Sequence, residues 1–346
     1  MRKPELAPIT QWITAAALDH PQGLPEQLEQ RLGVPRRKAL SLLKRLEAAQ
    51  WLTREGPARR PLWRAGPLRQ VVRHYALEGL MEDLPWRRDF APCFELPAHV
   101  HRMARHAFTE LVNNASDHSG GTQVTVSMRQ TPAQVQLLVS DDGCGLFRRI
   151  EDSFAIGEPA LAMLELAKGR LTSQPERHCG QGLVVTSLLA DVFDLRANAA
   201  SFQRRAWSEA KWHGMPPQAA LTNRAGTSVY LAIALDTDRT LDSVLHALST
   251  QPNGHAFDLA SVPLSLIAGA NGGALTSRAE AKRVASRLLA FRRAEIDFAG
   301  VDEVGHAFAH ELFSVFRRAH PEVELVPLAA NPQVASMLGA VSAGGA

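Results

Sequence analysis

Apolar residues recur at helical spacing in three short blocks at the start of the chain: Ile9, Trp12, Ile13 and Ala16; Leu24, Leu28 and Leu32; Leu40, Leu43 and Leu46. Gly33 separates the second block from the third, and Pro35 stands where the first turn of a helix tolerates it. This spacing predicts a helix-turn-helix. Trp51-Leu-Thr-Arg-Glu-Gly56 and Pro61-Leu-Trp63-Arg64 read as two short strands around a Gly-Pro-Ala-Arg-Arg turn, so residues 1–66 are expected to form a winged helix. Leu68 to Glu82 is helix-like and predicts a linker helix within 67–87, and Pro85-Trp-Arg-Arg-Asp-Phe-Ala-Pro92 breaks that pattern at a domain boundary.

Residues 88–237 alternate between the two periods. Val100, Met103, Ala104, Ala107, Phe108, Leu111, Val112 and Ala115 give one helix a buried face. Gln123 to Met128, Val135 to Val139 and Thr227 to Leu235 are strand-like, and the apolar run Leu183 to Leu189 reads as a helix. An α+β sandwich is expected. Residues 255–342 predict a small α/β domain: helix Ser277 to Phe291, strand Ala294 to Phe298, helix His306 to Ala319, strand Val323 to Val326 and a terminal helix Pro332 to Leu338. Gly339 to Ala346 reads as a frayed tail, and no internal repeat or low-complexity tract is present.

Composition narrows the class. The chain has 346 residues, enough for two or three cores, and 45% of them are hydrophobic. It contains no apolar run of membrane-spanning length and no signal-peptide h-region, so a cytoplasmic protein without a membrane partner is expected. Cys93, Cys144 and Cys179 are odd in number and at unrelated spacings, which predicts reduced thiols, with Cys144 and Cys179 as small buried residues. The net charge of +3 is unevenly spread. Residues 1–75 hold 14 Lys and Arg against 6 Asp and Glu, a balance of +8, so the rest of the chain carries −5. A basic unit on an acidic body suggests DNA as its partner. Arg36, Arg37 and Lys38 at the start of the third helix, and Arg59 and Arg60 at the wing tip, are the candidate phosphate contacts. Protein contact or dimerisation is the other use of such a unit, and a charged face is often only solvated.

Candidate chemistry lies in the middle of the chain. In His106-Ala-Phe-Thr-Glu110-Leu-Val-Asn-Asn114-Ala-Ser-Asp117-His118-Ser119, helical geometry puts Glu110, Asn114 and Asp117 within ~60° of one another, roughly 110° from the centre of the apolar stripe. A carboxylate there can take a proton from water or a hydroxyl, and an amide oxygen one turn on can ligate Mg²⁺. Asp141-Asp-Gly143-Cys-Gly145 follows a strand; glycines admit a flat base, and a carboxylate accepts its exocyclic amine. Gly180-Gln-Gly182-Leu183 opens a helix whose N–H groups suit phosphate, and Thr227 can add a hydroxyl contact. Each motif alone is usually a turn or loop. Their order and placement agree, and the absence of Gly-x-x-x-x-Gly-Lys-Ser/Thr excludes a P-loop. His99, His101, His106 and His118 crowd together at spacings that match no metal-ligand pattern.

These motifs resemble the GHKL ATPases, the class of histidine kinases, gyrase and heat-shock chaperones, and the His118-Ser119 ending is similar to anti-sigma-factor serine kinases. The resemblance implies ATP and Mg²⁺ as cofactors, Glu110 as general base, Asn114 as Mg²⁺ ligand, Asp141 as adenine contact, and Gly180 with Gly182 as phosphate loop. Asp117, His118, Gly143 and Gly145 belong to the same motifs. Lys168-Gly-Arg-Leu-Thr172-Ser-Gln-Pro-Glu-Arg-His178 takes the ATP-lid position, adding Lys168, Thr172 and His178 as nucleotide contacts. Together with Ser277-Arg-Ala-Glu-Ala-Lys-Arg283, Ile296-Asp-Phe298 and Gly305-His-Ala-Phe-Ala-His-Glu311-Leu-Phe313-Ser-Val-Phe316, the chain looks like a bacterial group in which a GHKL domain is fused to a C-terminal STAS-like domain.

Two departures stand out. Gln181 occupies a loop position where an acidic residue is expected, and Gly305-His306-Ala307-Phe308 has no hydroxyl where STAS anti-anti-sigma proteins are phosphorylated. The expected fold is multidomain α+β: winged helix-turn-helix, GHKL (Bergerat) α/β sandwich, small α/β STAS-like domain. The expected function is an ATP-responsive DNA-binding transcriptional or signalling regulator with weak Mg-dependent ATPase activity and a protein partner for the STAS-like domain. The alternatives are a protein serine or histidine kinase acting on a separate partner, and an ATP-dependent clamp, which would be a homodimer. No dimerisation helix with a phosphoacceptor His precedes the domain, which counts against a histidine kinase.

Overall fold

A computed structural model describes residues 6–57, 59–171, 180–207, 212–215, 225–251, 254, 256–269 and 273–343. Three helices, α1 (Ala7–Asp19), α2 (Leu24–Leu32) and α3 (Arg36–Ala48), precede an antiparallel hairpin of β1 (Leu52–Glu55) and β2 (Leu62–Ala65). They close a core of their own around Ile9, Ile13, Leu24, Leu28, Leu42, Leu43, Leu46, Trp51 and Trp63. Leu32 and Leu40, expected in that core, are exposed; Ala39, Leu42 and Leu43 fill the place of Leu40.

The expected linker helix is a strand. β3 (Arg69–Ala76) pairs antiparallel with β4 (Gln123–Gln130) along its full length. Val71 and Val72 are β-branched and Tyr75 is aromatic, types that favour a pleated surface, and the buried Arg69 and Val71 stand two residues apart, the period of a strand and not of a helix. Nor does the segment around Pro85 and Pro92 merely break a helix. It forms consecutive helical turns from Asp83 to Cys93, with Trp86 and Phe90 packed on Phe108 at ring separations of 5.3 and 5.0 Å.

The central sheet has seven strands in the order β3-β4-β5-β9-β6-β7-β8, every neighbouring pair antiparallel. Its members after β4 are β5 (Gln134–Asp141), β6 (Val192–Ala197), β7 (Ala200–Arg205), β8 (His213–Met215) and β9 (Thr227–Ala234). Burial alternates along β4 and β5, so Val124, Val126, Met128, Val135, Leu137 and Val139 line one face. The long helix α4 (Ala98–His118) packs against that face at β5 and β9. All eight residues of its predicted apolar stripe are buried.

Between β5 and β9 the chain also forms α5 (Leu146–Phe154), α6 (Pro159–Lys168) and α7 (Gly182–Leu189), and after β9 comes α8 (Leu241–Ala247). The last part has a parallel sheet β10-β12-β14 (Leu259–Pro263, Arg293–Asp297, Glu324–Leu328) and a short parallel pair, β11 (Ala274–Leu275) with β13 (Glu303–Val304). Helix α9 (Arg278–Ala285) stops six residues before the predicted Phe291, where Arg287 takes a left-handed φ of 62°. The helical segment from His306 to Ala319 is π-helical over Glu311–Phe316. The expected frayed tail is helical as far as Ala343, because the terminal helix Pro332–Ala343 buries Val334, Leu338 and Val341.

Candidate functional site

A cavity of about 390 Å³ opens between α4, the end of β5, α5 and the start of α7, a size suited to a small-molecule ligand. Helix α4 contributes His106, Glu110, Asn114 and His118 to its wall, one residue every four. Asp117, expected on the same edge, does not line it: steps of four keep the stripe on the cavity, and the step of three from Asn114 to Asp117 leaves it. Among the described residues the Asn114 amide makes no hydrogen bond, so its oxygen is available to a ligand or a cation. His106, read from sequence only as one of a histidine cluster, has its Nε2 buried without a hydrogen-bond partner, and desolvation lowers its pKa, which keeps the ring neutral.

The loop after β5 is held by its own carboxylates. Asp141 Oδ1 accepts from the Gly143 N–H at 2.9 Å and the Thr227 N–H at 3.1 Å. Burial raises the Asp141 pKa, and those two N–H groups oppose the rise. Nothing among the described residues bonds Oδ2, which leaves one carboxylate oxygen to accept an exocyclic amine. Thr227 Oγ1 accepts from the Leu146 N–H at 2.9 Å, so the Thr227 hydroxyl anchors the start of α5. Exposed Asp142 takes N–H bonds from Thr122 and Gln123 and a hydroxyl bond from Thr122, which draw its carboxyl down to about 2. Gly143 lies against the end of α4, where a Cβ would strike the Ser119 carbonyl; it shapes the loop but does not line the cavity, whereas Gly145 does.

Gly180, Gln181, Gly182 and Leu183 line the opposite wall, with Gly182 opening α7. A Cβ on Gly182 would collide with Glu110 Oε2, so glycine is required for the helix to start this close to that carboxylate. The start of α7, the positive end of its helix dipole, thus lies at the cavity wall.

Lys168 is not at the cavity. Its side chain is 1% exposed, pairs with Glu165 at 2.5 Å and donates to the Ser286 carbonyl at 2.9 Å in the C-terminal part of the chain. Burial pushes its pKa down, and Glu165 beside it works the other way. Thr172, His178 and Cys179 lie outside the described residues. Sequence reasoning missed α5, which lines the cavity through Leu146, Arg149, Ile150, Ser153 and Phe154, and α8, which adds Leu245. The signal for α5 was there: Leu146, Phe147, Ile150 and Phe154 recur at helical spacing after Gly145.

The other candidates sort readily. His99 bonds the Thr237 carbonyl at 2.9 Å, and His101 meets Trp86 edge-on at 5.2 Å. No group of three or more His, Cys, Asp and Glu among the described residues could hold a metal by itself. Cys93 is buried, with its thiol pushed up to about 11, whereas Cys144 is only half-buried. In the N-terminal unit Arg37, Arg59 and Arg60 are exposed and Lys38 is half-buried. Arg36 is already engaged, bonded to Glu26 at 2.5 Å and Glu29 at 3.3 Å. No helix among the described residues is long and apolar enough to cross a membrane.

Residues 99–236 match the family model of the histidine kinase-, DNA gyrase B-, and HSP90-like ATPases, and residues 280–335 match a STAS-like domain of unknown function. No curated protein matches the chain. The chain is thus a multidomain α+β protein that carries a GHKL ATPase domain followed by a STAS-like domain.

Proposed function

We propose that this chain is an ATP-responsive DNA-binding regulator. The observation that carries the nucleotide reading is the convergence of Glu110, Asn114, Asp141 and Gly182 on one cavity, although 72 residues separate the first from the last. Asp141 Oδ2 takes the adenine amine, the first turn of α7 takes phosphate oxygens, and Glu110 is placed to accept a proton from water beside Gly182. Asn114 would hold Mg²⁺ through its amide oxygen, and the cation would neutralise charge on the phosphates.

DNA binding rests on the basic first 75 residues and on α3. Arg37, Leu40, Ser41 and Lys44 are exposed at helical spacing, so α3 offers a polar, cationic face to a groove. Arg36 serves poorly there, because two carboxylates already use its charge.

The test is fluorescence anisotropy of a labelled duplex with the full chain, across salt concentration, with and without Mg-ATP. Binding is expected to change with nucleotide and to weaken in Arg37→Ala/Lys44→Ala, whose log–log salt slope should become shallower by roughly 0.9 for every phosphate no longer neutralised. Affinity indifferent to nucleotide would remove the switch. In parallel, Glu110→Ala should keep nucleotide binding and lose turnover by about 10²-fold or more. Labelled γ-phosphate transferred to a partner protein would replace the regulator with the kinase reading.

A further inference from the structure

Helix α5 turns one face to the cavity: Leu146, Arg149, Ile150, Ser153 and Phe154 stand at positions i, i+3, i+4, i+7 and i+8. Four of these are apolar or small. Arg149 is the only lysine or arginine among the described residues of the wall, since Lys168, the expected cation, is committed to Glu165 and Ser286. The Arg149 Nε is buried without a hydrogen-bond partner. No carboxylate among the described residues forms an ion pair with this guanidinium, although Glu110 and Asp141 line the same cavity. A buried donor left unmade is costly unless a ligand completes it. A polyphosphate next to two carboxylates needs a cation, and the planar fork of a guanidinium fits phosphate oxygens in pairs.

We infer that Arg149 binds the phosphate chain of the nucleotide and sets the preference for ATP over adenosine. The inference rests on the nucleotide reading above. The α5 backbone holds the residue in place, with the Arg149 N–H donating to the Gly145 carbonyl at 3.1 Å, so the adenine loop and the phosphate contact are built on one turn of chain.

Calorimetric titration of the full chain with Mg-ATP and with adenosine tests this in wild type, Arg149→Gln and Arg149→Lys. Arg149→Gln should weaken ATP roughly ten- to a hundredfold, the worth of a charge-assisted contact, and leave adenosine unchanged; Arg149→Lys should restore part of the affinity. Equal weakening for both ligands, in either variant, would overturn the assignment by showing that Arg149 supports the base or the fold. Unchanged ATP affinity in Arg149→Gln would overturn it too. Wild type that binds neither ligand would instead remove the nucleotide reading itself.

Discussion

The two flanks of the ATPase domain are attached in different ways. The N-terminal unit has a complete core of its own and meets the sheet through α1 lying on β3. The seam is polar: the Gln70 N–H donates to Thr14 Oγ1 at 3.1 Å, Thr10 bonds the Gln70 side chain, and Arg69 Nε donates to the Gly66 carbonyl at 3.0 Å. The C-terminal part has no separate core; Phe257, Ala260 and Val262 belong to the same apolar cluster as Phe108 and Val139.

Its contacts also gather at Lys168, the last residue of α6, and at Arg170 just after it. Lys168 reaches Ser286, and Arg170 donates to the carbonyls of Ala256, Phe257 and Ala290 at 3.0, 3.1 and 2.6 Å. Arg287 lies 4.7 Å from the ring centroid of Phe154, a residue of the cavity wall. A ligand that orders this wall therefore acts directly on the C-terminal flank and reaches the N-terminal one through the sheet and the helical turns before α4, which α1 also touches.

Breaking the C-terminal attachment should cost most. Lys168→Ala leaves buried Glu165 only the 3.9 Å approach of Arg287 and is expected to destabilise the chain by about 3 kcal/mol in urea unfolding, whereas Glu165→Leu/Lys168→Met should recover most of that stability. A drop under about 1 kcal/mol for Lys168→Ala, the scale of an exposed pair, would mean the pair is solvated.

A smaller effect separates the flanks. Arg170→Ala removes three bonds between the end of α6 and the C-terminal flank, so Mg-ATP titration should show weaker binding because more of the chain must be ordered on binding. Thr14→Val at the other seam should cost about 1 kcal/mol of stability and leave nucleotide affinity unchanged. The reverse pattern would invert the comparison.

What could be read from the sequence follows the range of the interaction. Helix α4 spans 21 residues, long enough for its apolar period to be unambiguous, and every predicted core position is buried. The glycine loops were legible only in combination, since each alone fits an ordinary turn and it is their order and placement that agree. Lys168 was misread because its partners include a carbonyl 118 residues away, which local pattern cannot reveal. Asp117 and His118 are adjacent on a helix, and only the position of the neighbouring walls decides which of them reaches the cavity. β3 was missed because eight residues with two valines and an aromatic fit either period, and pairing with β4 settled the choice. The 198–199 turn, with both φ positive, joins β6 and β7 through Asn-Ala, a pair without the glycine that usually marks such a hairpin.

Hydrogen–deuterium exchange of the full chain with and without Mg-ATP tests the central claim most directly. Nucleotide should raise protection along Glu110–His118 and Asp141–Leu146 and at the hinge formed by Glu165–Arg170 with Ser286–Phe291, with little change within α3. Unchanged exchange at the cavity, or protection in α3 without any at the hinge, would contradict the account.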